Sequence, residues 1–335
     1  MAPKLSYFVY LAGDLPEAGA AELISLVRSI QQLSLQRVSD RLFILNGDID
    51  IERLWRQMAL IRWAGKIHAQ VNELRHEELK ELPWSKILPA SQILIALHGF
   101  EGQVKTPVEN LILSAIEASD CRVELKPSRA RAVLHIFRAS DSFYIGTSTP
   151  PPRRRWFDRR PRARPFFHPT ALHPRLARLM VNLAGSYGNA VLLDPFCGTG
   201  SIPLEASLIG LRSLASDISL KMCKGALLNA RHFGIVELDV VQADARHLPF
   251  RYVDAIVTDL PYGRSSSLYG MRIGELLHSF FDELALLMKR QRRCVILHSH
   301  ELEKYIQDTR FSRLYRFRIP VHRKLTRILT ILEKS

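Results

Sequence analysis

From Ala190 to Ser299 the chain alternates short apolar runs with segments of helical period, and nothing else in the sequence restricts its fold as tightly. "AVLLD", "LRSLASD", "LDVVQAD", "DAIVTDL" and "CVILHS" read as strands buried on both faces, being brief and rich in Val, Ile and Leu. Between them, "SIPLEASLIG" reads as a helix with Pro203 in its first turn and Gly210 at its end. "SLKMCKGALLNARHFG" reads as a helix capped by Ser219 and stopped by Gly234, and "IGELLHSFFDELALLM" as a third helix. A further helix precedes them in "LHPRLARLMVNLAG", with Leu172, Leu176, Leu179, Met180 and Leu183 on one face and Gly185 as its stop. "FSRLYRFRI" and "KLTRILTIL" predict a terminal hairpin. Repeated βα units need crossover connections, so this half is a doubly wound parallel sheet with its site at the strand carboxyl ends.

Acids stand at four of those ends. Asp194 opens "DPFCGTG", where a Gly-x-Gly turn leads into a helix. A dinucleotide fingerprint would place glycine at position 203; proline is there instead, which disfavours a pyrophosphate cradle. Gly198 and Gly200 let the backbone approach a smaller ligand without phosphate, which suits S-adenosylmethionine. Asp217 can accept both ribose hydroxyls, as the acidic residue does in dinucleotide folds. Asp244 can accept from an adenine amino group. Alone, each acid would be a helix cap or surface residue; three on successive strands beside a glycine turn are a pattern.

The fourth acid, Asp259, begins "DLPYG". An exocyclic amine is a poor nucleophile because its lone pair is delocalised into the ring. A carboxylate at Asp259 and the carbonyl of Leu260 can hold its hydrogens and aim the nitrogen at a sulfonium methyl. Pro261 fixes the turn, Tyr262 can stack on the base, and Gly263 gives clearance. The simpler reading is a tight turn. Ser265 to Ser267 lack a nucleophile elbow and read as a polar loop over the site. His168 and His173 precede the helix and could line the site, but each reads first as structural.

The remainder bounds partners. The net charge of +14 favours a polyanion. No apolar run reaches the roughly 20 residues of a membrane span, and "LSYFVYLAG" near the start reads as a strand, not a leader. The four cysteines, Cys121, Cys197, Cys223 and Cys294, have no metal-ligand spacing, so no metal site is expected and a reducing cytoplasm fits. Pro150 to Pro165 holds five prolines and seven arginines against one Asp. It reads as a semi-rigid linker whose arginines, interleaved with Trp156 and Phe157, face phosphates. The half before it is mixed α and β. Strands are expected at 5–12, 41–45, 92–98, 131–138 and 143–146, and helices at 17–30, 51–70 and 108–118. No catalytic pair stands out there. The basic stretch "RFSRLYRFRIPVHRKLTR" reads as a solvated sheet edge.

"DPFCGTG", "SDIS", "QADARHLPF" and "DLPYG" together resemble the successive motifs of class I methyltransferases that modify exocyclic amines. Leu260 stands where proline is commoner. "RPFFHPTALHPRLARLMVNLAG", "VELKPSRARAVLHIF" and "YIG" extend the resemblance over nearly the whole chain, to archaeal tRNA guanosine N2-methyltransferases with an N-terminal THUMP domain. The length and segment order are most similar to the family that makes N2-methyl- and N2,N2-dimethylguanosine at position 10. The resemblance implies a ferredoxin-like portion over 1–48, a THUMP domain over 49–148 that grips the tRNA acceptor end, a linker over 149–165, and a Rossmann-like methyltransferase domain over 166–335. It implies cofactor contacts from Asp194, Phe196, Cys197, Gly198, Thr199, Gly200, Asp217, Ile218, Asp244, Ala245 and Asp259. The base would meet Asp259, Leu260, Pro261 and Tyr262. Gly263, Arg264, Arg153, Arg154, Arg155, Arg159 and Arg160 would meet the rest of the RNA. Some members of the family work with a small zinc-binding activator protein.

Two other readings stand beside this one. The same chemistry could act at guanosine 6, on a ribosomal guanosine or on adenine N6, since the Asp-x-x-Tyr pattern does not separate the bases. A non-enzymatic RNA-binding protein would show damage to the glycine loop or to that pattern, and both are intact.

Overall fold

The computed structural model describes residues 6–28, 30, 33–88, 92–126, 128–150, 156–185, 188–261, 273–305, 310–322 and 325–335. Its contacts cluster into two units: Met1–Pro16, Ser29–Arg56 and Ile61–Arg154 in one, Glu17–Arg28, Gln57–Leu60 and Arg155–Ser335 in the other.

The first unit is built on an eight-stranded sheet. Its spatial order is Ser34–Arg37, Leu42–Asn46, Ser6–Leu11, Ile61–Val71, Phe143–Ser148, Ala132–Arg138, Gln92–His98 and Glu124–Leu125. Neighbours are antiparallel except at the last two junctions, where the strands run parallel. The helix Lys105–Ala118 buries Ile112, Ala115 and Ile116 against Ile93, Leu134 and Ile136. One expectation fails here. The helix predicted over 51–70 ends at Gln57, and Ile61–Val71 is a strand. Gly65 shows why the strand wins: a Cβ there would lie 2.0 Å from the Thr147 carbonyl oxygen of the neighbouring strand. The backbones approach so closely that this position is committed to the sheet.

The second unit carries seven strands: β1 (Val191–Asp194), β2 (Arg212–Asp217), β3 (Leu238–Gln242), β4 (Val253–Asp259), β5 (Met288–Ser299), β6 (Phe311–His322) and β7 (Leu325–Lys334). Their order is β3-β2-β1-β4-β5-β7-β6, parallel until β7, which pairs antiparallel with both β5 and β6. Strand order reverses between β1 and β4, the switch point where such sheets open a crevice. The expected hairpin is β6–β7. Helices α1 (Pro174–Leu183), α2 (Ser201–Ser207), α3 (Leu220–His232) and α4 (Ile273–Leu287) supply the crossovers and covering layers. Phe280, Phe281 and Leu284 of α4 pack with Ile256, Ile296 and Leu332, while Ala226 and Ala230 of α3 pack with Leu204, Ala215 and Leu238. Ser219 occupies the N-cap of α3 as expected, yet its hydroxyl caps nothing; its backbone N–H donates to Asp217 instead.

Two polar clusters tie other segments to this sheet. Glu22, in the helix Pro16–Val27, is fully buried and accepts the N–H groups of Ala59 at 2.6 Å and Leu60 at 2.8 Å and the Asn182 amide at 2.6 Å. This helix, expected with the N-terminal portion, therefore clusters with α1 of the second unit. In the arginine-rich run, Glu205 of α2 is 1% exposed and pairs with Arg159 at 2.7 Å and Arg178 at 2.7 Å. Arg164 is buried and donates to the Ser201 hydroxyl at 2.6 Å. The segment after Arg155 is thus pinned to the second unit, because buried guanidinium groups need acceptors and Glu205 and Ser201 provide them.

Glu22→Ala leaves three buried donors unsatisfied. It is expected to lower the unfolding free energy of the chain by about 3 kcal/mol, read from urea denaturation.

Candidate active site

The carboxyl ends of β1, β2 and β4 meet around a cavity of about 370 Å³, within the size range of cofactor sites. Asp194, Pro195, Phe196, Cys197, Gly198 and Thr199 form one wall, Asp217, Ile218 and Ser219 a second, Ala243 to Ala245 a third, and Asp259 to Pro261 a fourth.

The glycine turn is shaped for a ligand. Gly198 has φ of 50° and Gly200 of 83°, both in the left-handed region. A Cβ on Gly198 would meet nothing within 4 Å, so the backbone there faces open space. A Cβ on Gly200 would come within 3.1 Å of the Ala226 methyl, so that glycine serves helix packing. The turn is locked by hydrogen bonds from Cys197 N to Ser216 O at 2.9 Å and from Gly200 N to Cys197 O at 2.8 Å. Buried Asn229 of α3 donates to Thr199 O at 3.0 Å and exchanges two hydrogen bonds with the Phe166 backbone.

The Asp217 carboxylate accepts Gly198 N–H on one oxygen and Ser219 N–H on the other, both at 2.9 Å. Each oxygen keeps a second acceptor site for a diol. Burial raises its pKa, partly offset by these two N–H groups. Asp244 also lines the cavity, but its carboxylate is forked by Arg246, with contacts from 2.6 to 3.1 Å. Those hydrogen bonds hold its pKa below the ordinary value.

Asp194 and Asp259 end adjacent strands and meet burial differently. Asp194 is 1% exposed and has only neutral donors, Thr258 Oγ1 at 2.7 Å and Phe196 N–H at 3.2 Å. Burial pushes its pKa up to about 8. The Asp259 side chain is 15% exposed and receives both terminal nitrogens of Arg327. Burial raises its pKa to about 6, with Arg327 pulling against the rise. At neutral pH one carboxyl holds a proton and its neighbour is ionised. Environments that separate two carboxyl groups in this way give a site both a donor and an acceptor.

The structure thus brings together Asp194, Phe196, Cys197, Gly198, Thr199, Asp217, Ile218, Asp244, Ala245, Asp259, Leu260 and Pro261. Leu260 buries its side chain in the core while its N–H donates to Leu297 O at 2.9 Å. Tyr262, Gly263, Arg264 and Arg153 to Arg155 lie outside the described residues. Arg159 does not reach outward, being paired with Glu205; Arg160 is exposed and stacks over the Phe157 ring at 3.3 Å. His173 caps α1, whereas His168 lines the cavity with its Nδ1 2.7 Å from the Thr170 hydroxyl.

Arg327 is the main omission. It falls inside the stretch read as a solvated edge, yet it is 6% exposed. The signal was present: an arginine within "LTRILTIL", otherwise apolar, has to find a buried acceptor. Arg316, in the same stretch, does lie near the surface, forked on Glu303.

Comparisons with known proteins agree with this geometry. The family model described as "RMKL-like, methyltransferase domain" matches residues 161–327. The tRNA (guanine(10)-N2)-dimethyltransferase of Methanothermobacter thermautotrophicus is 34% identical over 259 residues, 76% of each chain. The enzyme of the same name from Pyrococcus abyssi is 27% identical over 337 residues, covering 98% of this chain and 99% of its own. Among solved structures, TrmN from Thermus thermophilus superposes with a TM-score of 0.61 at 21% identity, over 98% of this chain and all of the other. The second unit has the class I methyltransferase fold. The cavity fits S-adenosylmethionine: Gly198 presents open backbone, and Asp217 retains acceptors for a diol.

Asp217→Ala is expected to weaken S-adenosylmethionine binding about 100-fold by titration calorimetry, because two hydrogen bonds to a charged acceptor are lost.

Proposed function

We propose, starting from the fact that this chain belongs to the family of tRNA (guanine(10)-N2)-dimethyltransferases, that it methylates the exocyclic N2 of guanosine 10 in tRNA, once and then again. The observation that carries the reading is the Asp259 carboxylate. It ends β4 in the wall of the cofactor cavity and is kept ionised by Arg327.

S-adenosylmethionine supplies an electrophilic methyl group on a sulfonium. The chain's own residues prepare the nitrogen. Asp259 accepts an N–H hydrogen bond from the guanine amino group, which restrains the amine and raises electron density on its nitrogen. When the new C–N bond forms and the C–S bond breaks, the nitrogen becomes a cationic acid far stronger than a carboxylic acid of pKa about 6. Asp259 therefore takes its proton and later releases it to water. Asp194, protonated at neutral pH, adds no second negative charge to the cavity. The second methylation uses the remaining N–H of the same nitrogen.

The first unit is the natural grip on the rest of the tRNA. We read residues 49–148 as a THUMP domain; the helix Lys105–Ala118 packed on a parallel set of strands supports an α+β module of that kind. Of the two described arginines in the run from 153 to 160, Arg159 is paired with Glu205 and Arg160 is exposed for phosphates. Among the described residues no helix is long and apolar enough to cross a membrane.

The test is incubation of unmodified tRNA with isotope-labelled S-adenosylmethionine, with and without a small zinc-binding activator protein, followed by nuclease mapping. Label on guanosine 10 is expected. Label on guanosine 6 would keep the chemistry and discard the site. Asp259→Ala is expected to abolish transfer, at least about 1000-fold, while tRNA affinity changes less than about threefold. The acceptor must be ionised, so the rate is expected to fall as pH drops through about 6 and to be level from there to about 8, where Asp194 ionises. A pH profile of single-turnover methylation checks this.

A further inference from the structure

Arg327 does not stand beside Asp259 in the sheet. It comes from β7, and β5 lies between β7 and β4. Asp259 is in register with Leu297, while Arg327 is in register with Ser299, the last residue of β5. The arginine therefore reaches across a whole strand, over a two-strand spacing of about 10 Å, to close on the carboxylate at the end of the sheet.

The contact is a fork. Nη1 meets Oδ2 at 3.1 Å and Nη2 meets Oδ1. A carboxylate has about four lone-pair sites, and an end-on guanidinium takes one on each oxygen. A planar, bidentate guanidinium restrains the carboxylate from rotating about its own axis. Asp259 lines the cavity, so the fork sets the direction its carboxylate presents there. A lysine would supply charge without this planarity.

We propose that Arg327 is the positioning residue of the methyl-acceptor site: its fork fixes the plane of the Asp259 carboxylate in the cavity wall, where the amine must dock. The inference rests on the reading of Asp259 as the group that binds the amine. Arg327 touches neither base nor cofactor in this role and acts through Asp259 alone. Among the described residues, the titratable groups acting on Asp259 are Arg327 from β7 and its neighbour Asp194 from β1.

The experiment compares Arg327→Lys, Arg327→Gln and Asp259→Asn in the full chain. For each, kcat and KM are measured with saturating labelled S-adenosylmethionine and unmodified tRNA. Cofactor Kd by calorimetry and a pH profile from 5 to 9 complete the set. The Asp259 carboxyl is also titrated by 13C NMR, assigned by difference from Asp259→Asn. Arg327→Lys is expected to lower kcat about tenfold through misorientation, with both KM for tRNA and cofactor Kd within about threefold and the acid limb unmoved. Arg327→Gln is expected to lower kcat further and to move the acid limb and the NMR titration upward by about one pH unit, since the cation that favours the ionised form is gone. A merely structural arginine would leave the pH profile in place.

Wild-type kcat in Arg327→Lys would show that the fork is not needed and overturn the proposal. So would an unshifted acid limb in Arg327→Gln, or a rise in kcat in either variant, which would make Arg327 a competitor of the amine. Should Arg327→Gln fail to fold, kcat and the NMR titration of Arg327→Lys decide alone. Activity retained in Asp259→Asn would instead remove the reading of Asp259 itself. An inactive Asp259→Asn beside unaffected Arg327 variants would remove only this inference.

Discussion

A carboxylate taken out of water must be either protonated or paired, and the site is arranged around that choice. Asp194 and Asp259 close the ends of adjacent parallel strands, where little solvent reaches them. Asp194 receives a hydroxyl and an amide N–H, and burial pushes it to about 8. Asp259 receives a guanidinium and stays near 6. One strand end thus becomes a neutral wall and the next an anionic acceptor. The cleft at the switch point gains a chemical direction from this difference, with the glycine turn and Asp217 on one side and Asp259 on the other.

The same rule governs how outlying segments attach to the second unit. Glu22 brings in the helix Pro16–Val27 and the Gln57–Leu60 stretch by accepting three hydrogen bonds in a dry environment. Glu205 and Ser201 capture two arginines from a run that composition alone marks as free and RNA-facing. Both acceptors sit on α2, the helix that begins at the glycine turn, so the arginine run is fastened directly behind the cofactor loop. Asn229 adds a third tie between Phe166 and Thr199. Gly225 lets this tie close, since a Cβ there would lie 2.0 Å from the Phe166 ring.

Local pattern failed where two structures share one composition. Residues 51–70 carry apolar positions compatible with a helix throughout, but the close approach of Thr147 to Gly65 makes the second half a strand. That pairing spans 82 positions of sequence, far outside any periodicity window. Ser219 has the right identity and place for a cap, but the nearby Asp217 carboxylate takes the N–H and leaves the hydroxyl outside the cap. Asp244 lines the cavity, but its fork with Arg246, two residues on, went unread.

By itself the sequence determined the alternating architecture, the strand ends that carry Asp194, Asp217, Asp244 and Asp259, and the glycine turn beside them. Of these, Asp244 stands two residues past the end of β3 rather than on it. The rest follow from short-range facts: side-chain period, β-branching, the backbone freedom of glycine and the fixed φ of proline. Only the tertiary structure decided which cations those acids meet. Arg327 reaches Asp259 across an intervening strand, while Arg159 and Arg164 turn inward to Glu205 and Ser201. The physical reason is that desolvation is set by the whole packed neighbourhood. Whether an arginine is a phosphate contact or half of a buried pair depends on what the fold places around it, not on its neighbours in the chain.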